Sequence, residues 1–131
     1  MDDLVTQALI DRLIETPAVA AIVGANVRKG HLAAIAEATY PVVTLTRRTG
    51  GRREYAAPYG DFPLTLVATT TESALSWQLS EVCVTALDRT TGTSNGRTWA
   101  AFVDTTPFEV PEIDTERLYH VVTLLRIRQL N

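Results

Sequence analysis

Apolar residues recur at helical spacing over the first fifteen positions. Val5, Leu9, Ile10, Leu13 and Ile14 fall on one broad arc, with Gln7, Asp11 and Glu15 on the other side. The spacing predicts an amphipathic helix over Asp2–Glu15, with Asp2 and Asp3 where the helix dipole favours negative charge. Thr16-Pro17 should end or bend it, because a residue before proline avoids the helical region. A short second helical turn is expected over Ala18–Val23, closed by Gly24.

After Asn26 the period shortens. Asn26–Gly30 reads as a short strand, and the stretch through Ala38 as a loop with weak helical character over Leu32–Glu37. Pro41–Arg48 alternates, with Val43 and Leu45 on one face and Thr44 and Thr46 on the other. Proline at the start of a strand is tolerated because its missing N–H falls at the end of the ladder. Thr49-Gly50-Gly51 marks a turn, and Tyr55–Tyr59 begins the return. Asp61–Thr70 alternates again, with Phe62, Leu64, Leu66 and Ala68 facing one way.

A second helix is predicted over Thr71–Asp88, with Thr71, Glu72 or Ser73 as N-capping chemistry and Leu75, Leu79, Val82 and Ala86 toward the sheet. Thr90–Gly96 reads as a polar loop, within which Asn95-Gly96 is a hairpin-type turn signal. Arg97–Thr105 reads as a strand in which Trp99, Ala101 and Val103 alternate with Thr98, Ala100 and Phe102. Phe108–Asp114 is acidic and interrupted by proline, which suggests a loop. Glu116–Leu130 is a long final strand, with Tyr119, Val121, Leu125 and Ile127 on one face. His120, Val122, Leu124, Arg126 and Arg128 take the other. The order helix–strands–helix–strands predicts an α+β fold: a mainly antiparallel sheet with two main helices packed on one face.

At 131 residues the chain suits one domain, here 1–131, with enough length to bury a core. A hydrophobic content of 46% against 21% charged residues argues against disorder. The longest apolar run, Ala18–Ala25, is far short of the roughly 20 residues of a membrane helix. Opening on Asp2 and Asp3, the sequence shows no basic region of a secretory signal. A single cysteine offers neither an internal disulfide nor a thiolate metal site. A net charge of −3 disfavours a dedicated nucleic-acid binder. Eleven of the twelve basic residues are Arg. Base composition explains that bias simply, although Arg also suits multi-donor interface contacts better than Lys.

Catalytic constellations are not evident, and no enzyme activity or cofactor is expected. Gly50-Gly51 is a turn and not a phosphate loop. His31 and His120 lack partners at metal-ligand spacing, which leaves His120 a plain strand histidine. Cys83 sits mid-helix between Val82 and Val84 and reads as a structural thiol. Ser73, Ser76 and Ser80 lie outside any nucleophile-elbow pattern. The acidic run Glu109, Glu112, Asp114, Glu116 reads as a solvated loop.

Two features rise above this background as interface candidates. Arg47, Arg48, Arg52 and Arg53 flank Thr49-Gly50-Gly51: either a soluble hairpin tip, or a basic arm for an acidic partner or a nucleic-acid backbone. Trp77 and Val84, seven residues apart, share a helix face away from the expected core stripe. Either Trp77 caps the sheet edge or is covered by the first helix, or the face is an interface, where tryptophan is enriched. Arg126 and Arg128, sharing a strand face with Val122 and Leu124, suit a strand that reaches a subunit boundary.

The order of elements resembles a known family. The opening helix ends in Pro17-Ala18-Val19-Ala20-Ala21-Ile22-Val23-Gly24, followed by Val27-Arg28 and then Tyr40-Pro41-Val42-Val43-Thr44-Leu45. A Gly-rich turn, a strand ending in Thr70, the second helix and a closing pair of strands with Arg117-Leu118-Tyr119-His120 complete it. This is similar to the tail-completion or tail-terminator proteins of long-tailed bacteriophages and gene transfer agents. The resemblance implies a non-enzymatic virion protein forming a ring, typically a hexamer. Such a ring caps the tail tube, stops its polymerisation and presents the surface that joins tail to head. The implied partners are further copies of the chain, the tail tube protein and a head-side connector or stopper, with DNA passing through the hole unread. The implied location is the bacterial host cytoplasm during assembly, then the tail neck of the particle. Another ring of the neck or tail, or a nucleic-acid-binding accessory module using the Arg-rich loop, are the alternatives.

Overall fold

The computed structural model describes residues 2–30, 32, 39–47, 61–94, 96–111 and 118–129. Three helices and seven strands follow in the order α1 (Asp2–Glu15), α2 (Pro17–Val23), β1 (Val27–Lys29), β2 (Val42–Arg47), β3 (Asp61–Thr70), α3 (Ser73–Leu87), β4 (Thr90–Ser94), β5 (Arg97–Val103), β6 (Phe108–Pro111) and β7 (Tyr119–Gln129). The fold is α+β, with one sheet in the spatial order β1-β2-β3-β7-β5-β4 and β6 paired to β7 off that path. Among the described residues only β1 runs parallel to its neighbour, and every other pairing is antiparallel.

Period-2 alternation sets which face of the sheet meets the helices. Leu64, Leu66 and Ala68 of β3 stand opposite Leu125, Thr123 and Val121 of β7, and all six are buried. Val43 and Leu45 of β2 and Trp99 and Ala101 of β5 extend that face. Val5, Leu9, Ile10 and Leu13 of α1, Val19 and Val23 of α2, and Leu79, Cys83 and Leu87 of α3 close over it as one core. The Asp2–Glu15 helix matches its expected bounds. Pro17 starts α2, whose end is turned by Gly24 at a φ of 61°, a conformation open to glycine. Asn26 holds the next crossing, donating through Nδ2 to the Thr39 and Pro41 carbonyls at 2.9 and 2.8 Å.

The sequence expectation needs three corrections here. The stretch from Thr90 is strand β4, not a polar loop, and it pairs with β5 from Thr90↔Ala101 to Ser94↔Arg97. Threonine's branched side chain favours a pleated strand despite its polarity. Ser94 pairs with Arg97 and Gly96 has a φ of 76°, which agrees with the hairpin-type turn expected there; Asn95 lies outside the described residues. Phe108–Pro111 is strand β6 along β7, because prolines on both sides of Glu109-Val110 are tolerated at an edge. Residues 112–114 of that stretch lie outside the described residues, as do the expected turn at 49–51, the return at 55–59 and most of the weak helix at 32–37.

The third correction concerns α3, which starts at Ser73 and buries Ser76, Leu79, Ser80, Cys83 and Leu87. Leu79 is on the expected stripe, whereas Leu75, Val82 and Ala86 are only half-buried. Apolar periodicity misplaces the helix because two serines belong to its core face. Their hydroxyls are satisfied there: Ser76 Oγ donates to the Tyr119 carbonyl at 2.7 Å and lies 2.8 Å from Thr70 Oγ1. Ser80 Oγ lies 3.3 Å from Thr123 Oγ1. Glu72 is the N-cap position but makes no side-chain capping bond. Thr70 Oγ1 instead accepts from the Glu72 N–H at 3.1 Å and donates to the Glu72 carbonyl at 2.6 Å.

Gly92 of β4 lies directly against the indole of Trp99, which is 4% exposed; an added Cβ would fall within 2.8 Å of Trp99 Cε2. Gly92→Ala should therefore destabilise the fold by about 1–3 kcal/mol through overpacking. Urea denaturation followed by tryptophan fluorescence checks this. A midpoint equal to wild type would mean the indole is not confined by the β4–β5 hairpin.

Candidate interaction surfaces

Helix α3 presents Trp77 outward because the stripe through Leu79, Cys83 and Leu87 is turned to the sheet. Trp77 is 40% exposed and Val84 half-buried. Both line a groove of about 550 Å³ with Ala74, Gln78 and Glu81 on the helix and Pro107 from the β5–β6 connection. Trp77 and Val84 thus share one surface, as the spacing predicts, and α1 does not cover it. A second groove of about 570 Å³ runs between α1–α2 and α3, lined by Arg12, Glu15, Glu81, Val82 and Ala86 among others. Arg12 Nε donates to the Ala86 carbonyl at 3.0 Å and ties the two helices together there.

The sheet face turned away from the helices carries Arg126 and Arg128. They lie on one side of β7 with Val122 and Leu124, as alternation predicts. Arg126 Nη2 is 3.7 Å from Asp104 Oδ2, with the side chains 46% and 35% exposed. An ion pair that open is worth at most about 1 kcal/mol. Arg47 is exposed at the end of β2, and Arg48, Arg52 and Arg53 lie outside the described residues. The fold therefore groups Arg126 with Arg128, and Trp77 with Val84, on opposite sides of the sheet.

Sequence inspection misses an apolar patch on that outer face. Phe102, Phe108 and Val110 are 39%, 44% and 38% exposed. In register, Phe108 stands opposite Val122 and Phe102 opposite Arg126. Val110 faces His120. The signal was the alternation Phe108-Glu109-Val110, obscured by the prolines at 107 and 111. Glu109 points the other way, accepting from Ser73 Oγ at 2.6 Å.

Chemistry is sparse on these surfaces. No group of three His, Cys, Asp or Glu able to hold a metal ion occurs among the described residues. His120 is half-buried in β7, its Nδ1 2.8 Å from Oγ1 of its register partner Thr69. Ser76 and Ser80 are committed to the α3–sheet contact. Cys83 is fully buried, and desolvation pushes its thiol up to about 12. Among the described residues no helix is long and apolar enough to cross a membrane.

No protein-family model matches the chain, and no curated protein sequence does so. Solved structures do. A chain from the virion of a native gene transfer agent particle superposes with a TM-score of 0.71 at 12% identity, covering 92% of this chain and 90% of that one. Another solved chain matches at 15% identity and a TM-score of 0.51, covering 100% of this chain and 96% of its own. At such identities the likeness is one of fold.

The Cys83 environment makes a direct prediction. An unfolded thiol titrates near 9.0 and the folded one near 12, so the unfolded chain loses its proton first as pH rises. This contribution to stability is intact below pH 9 and falls between about 9 and 12, by up to about 1.4 kcal/mol per pH unit. A Cys83→Ala variant should lose less stability across that window than wild type. At pH 8 the native thiol should label only upon unfolding; rapid labelling under native conditions would contradict its burial.

Proposed function

We propose that this chain is a structural component of a phage-like particle, and within it the tail terminator: a ring-forming protein that caps the tail tube and carries the head-joining surface. The observation that carries this reading is the fold match to a gene transfer agent virion chain, which leaves almost nothing of either chain unaccounted for. The order of elements that suggested the family in the sequence is present, from the helix ending at Gly24 through β2, β3 and α3 to the β5 and β7 strands. The side chains agree with a structural task. The buried serines and the cysteine serve packing, while large apolar groups stay open on two sides of the molecule. A cluster of exposed aromatics on a small domain is typical of an interaction surface.

A small subunit with interfaces on two different sides closes into a ring when its contacts are heterologous and the rotation closes. In this reading the copies form a cyclic oligomer, a hexamer by the resemblance. One ring face meets the tail tube protein and the other the head-side connector or stopper, and DNA passes through the hole without sequence-specific contacts. Assembly takes place in the bacterial host cytoplasm, and the finished ring sits at the tail neck.

The test is a polymerisation assay with the cognate tail tube protein, imaged by negative stain. Added at sub-stoichiometric amounts, the protein should shorten the tubes and appear as a cap at one end. Incorporation along the tube length would identify a tube subunit instead. Unchanged tube lengths with no end density would overturn the terminator role.

A further inference from the structure

Among the described residues the helices pack on one face of the sheet and leave the other without a layer of its own. α3 rests on the inner face through Leu79, Cys83 and Leu87. The outer face keeps an apolar stripe along β7. Half-buried Val122 and Leu124 stand in line there with Arg126, while Phe108 faces Val122 and Phe102 faces Arg126. Half-buried Val67 and Thr65 of β3 flank the same stripe from the other side. A sheet face carrying large apolar groups is stabilised when a second layer covers it.

The outward face of α3 complements that stripe. Four large apolar side chains are exposed among the described residues: Phe102, Phe108 and Val110 on the outer sheet face, and Trp77 on α3. Ala74 and Val84 lie beside the indole, and Glu81 follows one helical turn later. Glu109 joins the same face through its 2.6 Å bond with Ser73 Oγ. Because α3 contains no Lys, Arg or His, this face is acidic. The β7 stripe instead ends on Arg126 and Arg128, with Asp104 3.7 Å from Arg126, so the two faces are opposite in charge. Their lengths agree as well. The 15 residues of α3 span about 22 Å, and His120 to Arg128 of β7 about 27 Å. The two surfaces lie on opposite faces of one sheet, which separates the α3 face of a copy from that copy's own stripe.

We propose that the Trp77 face of α3 packs on the outer sheet face of a second copy of this chain, making a head-to-tail contact between neighbours. The helix axis follows β7, and Trp77 seats over Leu124, level with the gap between Phe102 and Phe108. Glu81 is then about 6 Å further along the helix, and Arg126 about 7 Å further along the strand, so the carboxylate meets the guanidinium. The proposal deepens the ring reading and rests on it. Each copy offers one helix face and one sheet face, so every contact leaves one of each unused until the ring closes. Burial of the aromatic groups supplies the affinity, and the opposite charges orient the encounter.

Photo-crosslinking tests this directly. Gln78, exposed beside Trp77, is replaced by benzoylphenylalanine in a one-to-one mixture of isotopically light and heavy protein. Mass spectrometry then identifies the captured peptide, and negative stain of the same sample records whether rings are present. The expected product is a mixed-isotope crosslink to a peptide containing 102–110 or 122–128. Its yield should fall about tenfold in Arg126→Glu and recover in Glu81→Arg/Arg126→Glu, a rescue that damage to the fold could not give. Mixing a Trp77→Ala/Glu81→Arg copy with a Phe102→Ser/Phe108→Ser copy, all changes at exposed positions, should give one-to-one pairs that grow no further. Rings that form with crosslinks to other surfaces, or within single copies, overturn this contact and leave the ring reading standing. The expected crosslink in open stacks that never close keeps the contact and overturns the ring. Single-isotope crosslinks with no rings, alone or on tail tubes, overturn both.

Discussion

Strand β7 is the constraint on which the architecture depends. Tyr119 to Arg128 of it pair with β3, while its opposite edge is divided between β5, paired over Trp99–Val103, and β6, paired over Phe108–Pro111. One face of it, through Val121, Thr123, Leu125 and Ile127, forms the floor on which α3 rests. The hydroxyls of Thr70, Ser76, Ser80 and Thr123 then fix α3 in register over that floor, since a shifted helix would leave them buried without partners. With α3 held this way, Trp77 has no core position left to occupy and turns outward beside Pro107.

The division of β7's edge also shapes the outer surface. β5 and β6 run along it in the same direction, separated by Asp104–Pro107. That break brings Pro107 up to the helix layer, while Phe108 and Val110 stay on the outer sheet face. Helix-side groove and outer apolar face therefore meet around a single edge of the molecule.

Much of the fold was legible in the sequence because most elements follow simple periods. Asp2–Glu15, Val42–Arg47 and Asp61–Thr70 follow the 3.6- or 2-residue period of their apolar positions. The misses share a physical cause: polar residues in buried or strand positions. Ser76 and Ser80 rotate the apparent core stripe of α3, Thr90–Ser94 looks like a loop because hydroxyl side chains dominate it, and Pro111 disguises β6. Of the candidate surface, the Trp77–Val84 pair and the Arg126–Arg128 pair were readable from spacing within one element. Pro107, Glu109, Phe108 and Val110 were not, since their roles arise from contacts between segments distant in sequence.

The central proposal is that copies of this small domain close into a ring. Native mass spectrometry of the purified wild-type chain across a concentration series measures that most directly. The account predicts one dominant closed oligomer, a hexamer, with intermediate species rare because each open contact recruits another copy. A monomer at every concentration, or an unbounded ladder of sizes with no preferred closure, would contradict it.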